Sequence, residues 1–151
     1  KLGGMFFEDF EVGRTYRFGQ RTVTQDELIA FAREFDPQPF HIDPEAAKRS
    51  HFGGLIASGW HTVSICMRHI IDDLYGQDAG SIGASGIDEL RWPVAVRPGD
   101  TLNFWLEVME SKISERRPDR GRLVLKYAAD NQHGETVVSM LSTVYFLRRE
   151  A

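Results

Sequence analysis

Cysteine occurs once in these 151 residues, at Cys66, and proline six times. A lone cysteine excludes an internal disulfide. No apolar run approaches the roughly 20 residues that a bilayer-spanning helix needs, so a soluble protein of a reducing, cytoplasmic compartment is expected, without membrane contact. Also missing is a basic surface: 18 Lys and Arg against 22 Asp and Glu give a formal net charge of -4, with the cations scattered except for one short cluster. That pattern excludes the electrostatic footprint of a nucleic-acid binder and leaves small molecules or proteins as partners. No GxGxxG or P-loop run is present to hold a nucleotide cofactor, and no C-x-x-C or H-x-x-x-H spacing to hold a metal. His51, His61 and His69, with Asp43, are the residues a metal would need, but His61 and His69 do not share the usual i, i+4 arrangement. Neither a cofactor nor a metal is expected.

What is present suits one globular domain: 42% hydrophobic and 26% charged residues, in a chain large enough for a core but too short for two. The expected domain covers residues 5–151. KLGG, before Met5, has neither the apolar core nor the cleavage pattern of a signal peptide and is set apart as an expression scar.

Two hydrophobic periods divide this domain. TVTQDELIAFAREFD places Thr24 as an N-cap, Glu27 three residues on, and Leu28, Phe31, Ala32 and Phe35 at helical spacing. The helix should stop at Asp36, because Pro37 disfavours a helical conformation in the residue before it. LIASGWHTVSICMRHIIDDLYG is apolar around most of its circumference and reads as a buried helix, with Ser58 able to cap it and Gly76 to end it. Beyond it the period becomes two: Leu102, Phe104, Leu106 and Val108 alternate with polar residues, as do Leu123, Leu125 and Tyr127, and TVVSMLSTVYFL makes a long final strand. Turn signals at Arg97–Asp100, Arg117–Asp119 and Asn131–Gly134 suit antiparallel neighbours. A strand over about Gly86–Trp92 precedes them, and residues 15–22 supply the first. A curved antiparallel sheet wrapped around the second helix buries all of this, an α+β hot-dog fold.

Between the helices lies FDPQPFHID, residues 35–43, where Asp36 and His41 flank Pro37 and Pro39. Each proline fixes its own φ near about −65° and restricts the residue before it, so the loop is stiff. A carboxyl and an imidazole on such a loop can hold a water or a substrate proton with little loss of conformational freedom. The plainer reading makes Asp36 a helix end, the prolines a surface turn and His41 the occupant of a half-buried slot.

D-P-Q-P-F-H followed by I-D-P-E-A-A resembles the signature of MaoC-like dehydratases and R-specific enoyl-CoA hydratases, D-x-N-P-x-H followed by x-D-x-x-x-A. GGLIASG, residues 53–59, resembles the approach to that family's central helix, and RWPVAVRPGDTL, residues 91–102, its strand and turn before the sheet. The opening FFEDFEVG is similar too, so the resemblance runs from Met5 to about Leu147. It implies a hot-dog homodimer or higher assembly that reversibly hydrates trans-2-enoyl thioesters, acyl-CoA or acyl-carrier, to (R)-3-hydroxyacyl thioesters.

On that resemblance Asp36 and His41 are the catalytic pair and hold the water, with the acid and base roles unassigned. The Gly59 N–H, at a helix N-terminus, faces the charge that develops on the thioester oxygen; otherwise Gly59 only lets the helix start against the sheet. Gln38, Phe40 and Ser58 are the expected substrate-binding residues, Phe40 either lining the acyl pocket or anchoring its loop. Gln38 departs from the family pattern, standing where asparagine is usual. Lys112, Arg116, Arg117, Arg120 and Arg122 form the one basic cluster, a solvated hairpin turn or a contact for the phosphates of a carrier. A thioesterase and a non-catalytic acyl-binding or partner subunit are the alternatives on the same fold.

Overall fold

A computed structural model describes residues 3–150; Lys1 and Leu2 of the tetrapeptide set apart above, and Ala151, lie outside the described residues. Strand β1 (Thr15–Thr22) is followed by helix α1 (Gln25–Phe35), two short helices α2 (Pro39–Ile42) and α3 (Pro44–Arg49), and helix α4 (Gly59–His69). α4 continues as a π-helical turn, Ile70–Tyr75, before strands β2 (Ser81–Arg91), β3 (Thr101–Ile113), β4 (Arg120–Asp130) and β5 (Thr136–Leu147). The five strands form one antiparallel sheet in the order β1-β3-β4-β5-β2, curved around α4.

Period-two alternation builds the inner wall. Leu102, Phe104, Leu106 and Val108 of β3, Leu123, Leu125 and Tyr127 of β4, and Met140, Val144 and Phe146 of β5 are buried together against Ile65, Cys66, Ile70 and Leu74. Each large side chain so buried contributes roughly 1.5–3 kcal/mol, which fixes α4 beneath the sheet and so fixes where its N-terminus points. Gly19, at a β-bulge in β1, has a φ of 66°, and a Cβ there would meet the Asp73 carboxylate and the His69 ring. A residue without a side chain satisfies both conditions.

The helices differ from the sequence reading in three respects. α1 has the expected Thr24 cap, whose hydroxyl accepts from the Glu27 N–H at 3.2 Å, but Glu27 turns its carboxylate to Arg21 instead of closing a capping box, and Phe35 is exposed. The loop carrying His41 is partly helical, because Pro39 sits at the first helical position, where its missing N–H costs nothing. The central helix is shorter than the apolar segment: Leu55, Ile56 and Ala57 are buried but precede it, Ser58 caps it, and Gly76, with a φ of 78°, ends the π turn. Trp60, Met67 and Ile71 are exposed, so only one face of α4 is covered by its own chain. No helix of the described residues is long and apolar enough to cross a membrane.

Candidate active site

Local sequence places an acid and an imidazole side by side. α1 ends at Asp36, whose N–H still bonds to the Ala32 carbonyl, and Pro37 prevents another helical turn. The chain turns back at once, with the Gln38 N–H on the Asp36 carbonyl at 2.8 Å, and α2 then brings His41 inward. His41 is buried, and its Nε2 lies 3.3 Å from Asp36 Oδ2. Its Nδ1 is 2.7 Å from the Ile56 carbonyl oxygen. A carbonyl only accepts, so Nδ1 carries a proton and Nε2 is the nitrogen that faces the carboxylate.

Both Asp36 oxygens are held. Gln38 Nε2 donates to Oδ1 at 2.8 Å and the Ser58 hydroxyl donates to Oδ2 at 2.8 Å. Burial opposes ionisation of this carboxyl, but the hydrogen bonds from Gln38 and Ser58 and the nearby His41 together outweigh it and hold its pKa below the ordinary carboxylate value. Ser58 has a second task, since its oxygen accepts from the Trp60 N–H at 3.3 Å as the cap of α4. One hydroxyl therefore ties the start of the central helix to the Asp36 carboxylate.

Next to Ser58, Gly59 opens α4. Its N–H belongs to the first turn, which has no intrahelical acceptor, and among the described residues it meets none elsewhere. A Cβ at Gly59 would overlap the Trp92 indole, which packs against this glycine and donates Nε1–H to the Gly59 carbonyl at 3.0 Å. Trp60 meets the same indole edge-on, ring centroids 5.5 Å apart, and the two tryptophans stay 57% and 41% exposed.

These groups border a cavity of about 450 Å³ whose wall includes Asp36, Phe40, His41, Gly59, Trp60 and Trp92. Phe40 is half-buried on that wall and packs on both His41 and Phe52. Gln38 and Ser58 reach the site through the Asp36 oxygens. The remaining floor, Val94–Val96 and Val137, is apolar. A polar pair at one end of an apolar chamber, with an unused N–H beside it, suits a thioester with a hydrocarbon tail.

Other side chains singled out in the sequence lie elsewhere. His51 packs on Phe52, His61 stacks on Phe31 and His69 bonds to Asp73 at 2.6 Å. Cys66 is fully buried, and burial pushes its thiol up to about 12. The basic residues gather at the β3–β4 hairpin. Sequence reasoning did not single out three functional neighbours. Trp60 lies in no motif, Trp92 falls within the RWPVAVRPGDTL run but was given no role of its own, and the Ile56 carbonyl is a backbone group that only the fold brings to His41.

The sequence model of the family described as "MaoC like domain" matches residues 9–131. Among solved structures, a MaoC-like dehydratase from Rhodospirillum rubrum superposes with a TM-score of 0.88 at 41% identity, covering 98% of this chain and 100% of that one. Among curated proteins, an uncharacterized protein of Bacillus subtilis, YdeM, is 31% identical over 85% of this chain and 89% of its own length. A 3-hydroxybutyryl-CoA dehydratase of Methylorubrum extorquens is 30% identical over 93% of this chain and 87% of its own.

Proposed function

This chain belongs to the MaoC-like family, and on that premise we propose that it reversibly adds water across the double bond of a trans-2-enoyl-CoA to give the (R)-3-hydroxyacyl-CoA. The observation that carries this reading is the 3.3 Å approach of Asp36 and His41, with His41 Nδ1 already bound to the Ile56 carbonyl and each Asp36 oxygen already accepting one hydrogen bond from its own chain. With Nδ1 bound to Ile56, the Nε2 lone pair and the Asp36 carboxylate are two acceptors aimed at one place. A water there donates one hydrogen to each and turns its oxygen lone pair toward the apolar chamber.

The water oxygen bonds to C3 of the enoyl group while one of its protons passes to the pair. The C2–C3 π electrons move toward the carbonyl, giving an enolate-like thioester oxygen, and a proton delivered from the pair to C2 completes the addition. Atoms balance as one water plus one enoyl thioester. The unused Gly59 N–H, at the positive end of α4, stabilises the developing oxyanion, and Trp92 holds that peptide in place through the adjacent carbonyl. Phe40 and the apolar floor receive the acyl chain.

The working unit of this proposal is a homodimer. β2 is an edge strand with exposed Ile82 and Ile87, and the uncovered side of α4 presents Trp60, Met67 and Ile71. A second copy meeting this edge buries all five. The experiment on function is loss of enoyl absorbance with crotonyl-CoA, set against thiol release from butyryl-CoA. Hydration without thiol release supports the reading; thiol release without hydration makes the protein a thioesterase and contradicts it.

A further inference from the structure

The turn that the sequence marks at Arg97–Asp100 takes no part in the chemistry above, yet its first side chain reaches the backbone behind the candidate site. Arg97 donates from Nη2 to the Phe52 carbonyl at 2.7 Å and from Nη1 to the Gly54 carbonyl at 3.2 Å. Two residues further on, the Ile56 carbonyl accepts from His41 Nδ1. The alternate carbonyls of Phe52, Gly54 and Ile56 are thus all held by side chains, two by the guanidinium and one by the imidazole. This segment has no helix or strand of its own, and Gly53 bends it with a φ of 69°. Apart from local bonds to Ser50, residues 52–54 meet the polar groups of the rest of the described chain through Arg97. A planar, charged fork on two carbonyls is suited to fixing such an irregular stretch.

The turn itself is braced. Asp100 is buried; its Oδ2 accepts from the Arg97 N–H at 2.9 Å and its Oδ1 from Gln132 Nε2 at 3.0 Å. The Gly99 N–H donates to the Val23 carbonyl at 2.7 Å and the Val23 N–H to the Asp100 carbonyl at 2.8 Å, which ties the turn to the residue before the cap of α1. That helix ends at Asp36. On the other side, the peptide between Ile56 and Ala57 has both of its groups engaged. Its N–H donates to the Val96 carbonyl at 2.8 Å, and its carbonyl accepts from His41 at 2.7 Å. Val96 and Arg97 therefore stand between the two segments that deliver the carboxylate and the imidazole.

We infer that Arg97 is a positioning residue for His41: by clamping residues 52–54 it keeps the Ile56 carbonyl on Nδ1, and so keeps the Nε2 lone pair turned to the place between the ring and Asp36. The tautomer of a neutral imidazole is set by the bond that its other nitrogen makes. With the Ile56 carbonyl out of reach, the proton is better placed on Nε2, where it bonds directly to Asp36 Oδ2, 3.3 Å away, and leaves no lone pair for the water. The kinetic consequence rests on the hydratase reading, whereas the tautomer follows from the geometry of one chain.

The test is Arg97→Met, which keeps the apolar stem and removes the donors, beside the conservative Arg97→Lys, whose single ammonium lacks the fork that spans both carbonyls. Nitrogen-15 NMR of histidine-labelled protein reads the ring directly, with the His41 signals identified by their loss in His41→Asn. Wild type should show a neutral His41 protonated at Nδ1 and bare at Nε2. Arg97→Met should shift the ring toward the Nε2–H form, and Arg97→Lys should lie between. With crotonyl-CoA, Arg97→Met should lower kcat by about tenfold or more, since a small misplacement of a catalytic group is costly, and should leave KM within about twofold because Arg97 touches no substrate. Arg97→Lys should again lie between.

Wild-type kcat in folded Arg97→Met overturns the inference. A lowered kcat with the His41 tautomer unchanged overturns it too, because a residue that only braces the fold gives that result. If Arg97→Met does not fold, Arg97→Lys decides on the same two readouts, and wild-type values for both then overturn the inference. A wild type that hydrates no thioester removes the hydratase reading, and the ring tautomer in the Arg97 variants then judges the clamp by itself: an unchanged Nδ1–H form refutes it, and a shift to Nε2–H upholds it.

Discussion

The Trp92 indole fills the space where a side chain at Gly59 would be, and its Nε1–H bonds to the Gly59 carbonyl at 3.0 Å. One contact thus accounts both for the glycine and for the position of the peptide that starts α4. Gly59→Ala keeps the N–H but forces the indole away and shifts the peptide that carries it, and should lower kcat by up to about 10²-fold, the loss seen when an oxyanion donor is removed. Trp92→Phe keeps the ring but removes the hydrogen bond, and a smaller loss in kcat with little change in KM is expected. Steady-state kinetics on crotonyl-CoA check both, and wild-type kcat in Gly59→Ala would remove Gly59 from the mechanism.

Gln38 controls the charge on Asp36. Its hydrogen bond to Oδ1 is one of the contributions that lower the Asp36 pKa from 3.8, so Gln38→Ala should raise it. A lowered folded pKa means that the stabilisation from ionised Asp36 is present above pH 3.8 and is lost as pH falls through the folded value. In Gln38→Ala that loss begins at higher pH. The acid limb of kcat/KM and the acid limb of thermal stability should therefore both move upward, and Ser58→Ala should move them the same way. An acid limb that stays put in both variants would separate these residues from the Asp36 charge.

Tyr75 and Tyr127 share a buried hydrogen bond, hydroxyl to hydroxyl at 2.7 Å, and neither lines the cavity beside Asp36 and His41. Burial pushes the Tyr127 hydroxyl up to about 12, so the pair stays protonated at neutral pH. Tyr127→Phe leaves the Tyr75 hydroxyl buried without this partner and should cost about 1–3 kcal/mol of stability. Tyr75→Phe/Tyr127→Phe removes both groups and should cost less than the sum of the single changes. Urea unfolding measures each, with kcat unaffected; additive costs would deny the coupling.

The sheet was legible because its signal is local. Alternation from Leu102 to Val108 and from Val138 to Phe146 reports which side of the strand is buried, and both runs lie on the inner wall. Thr24 and Pro37 likewise set the limits of α1 through their nearest neighbours. The candidate site was legible only in part. Asp36 and His41 stand out on their prolines, but the groups that orient them come from far along the chain: Ser58 lies 22 residues from Asp36, and the Ile56 carbonyl 15 from His41. Apolar content also could not separate the face of α4 that the sheet covers from the face carrying Met67 and Ile71, because covering by a second chain leaves the same mark on the sequence.

The proposed chemistry stands or falls with the water held between Asp36 and His41. Asp36→Ala and His41→Ala, each checked for a wild-type circular dichroism spectrum and dimer mass, should lower kcat for crotonyl-CoA hydration by about 10²-fold or more. Hydration at the wild-type rate in both folded variants would contradict the account.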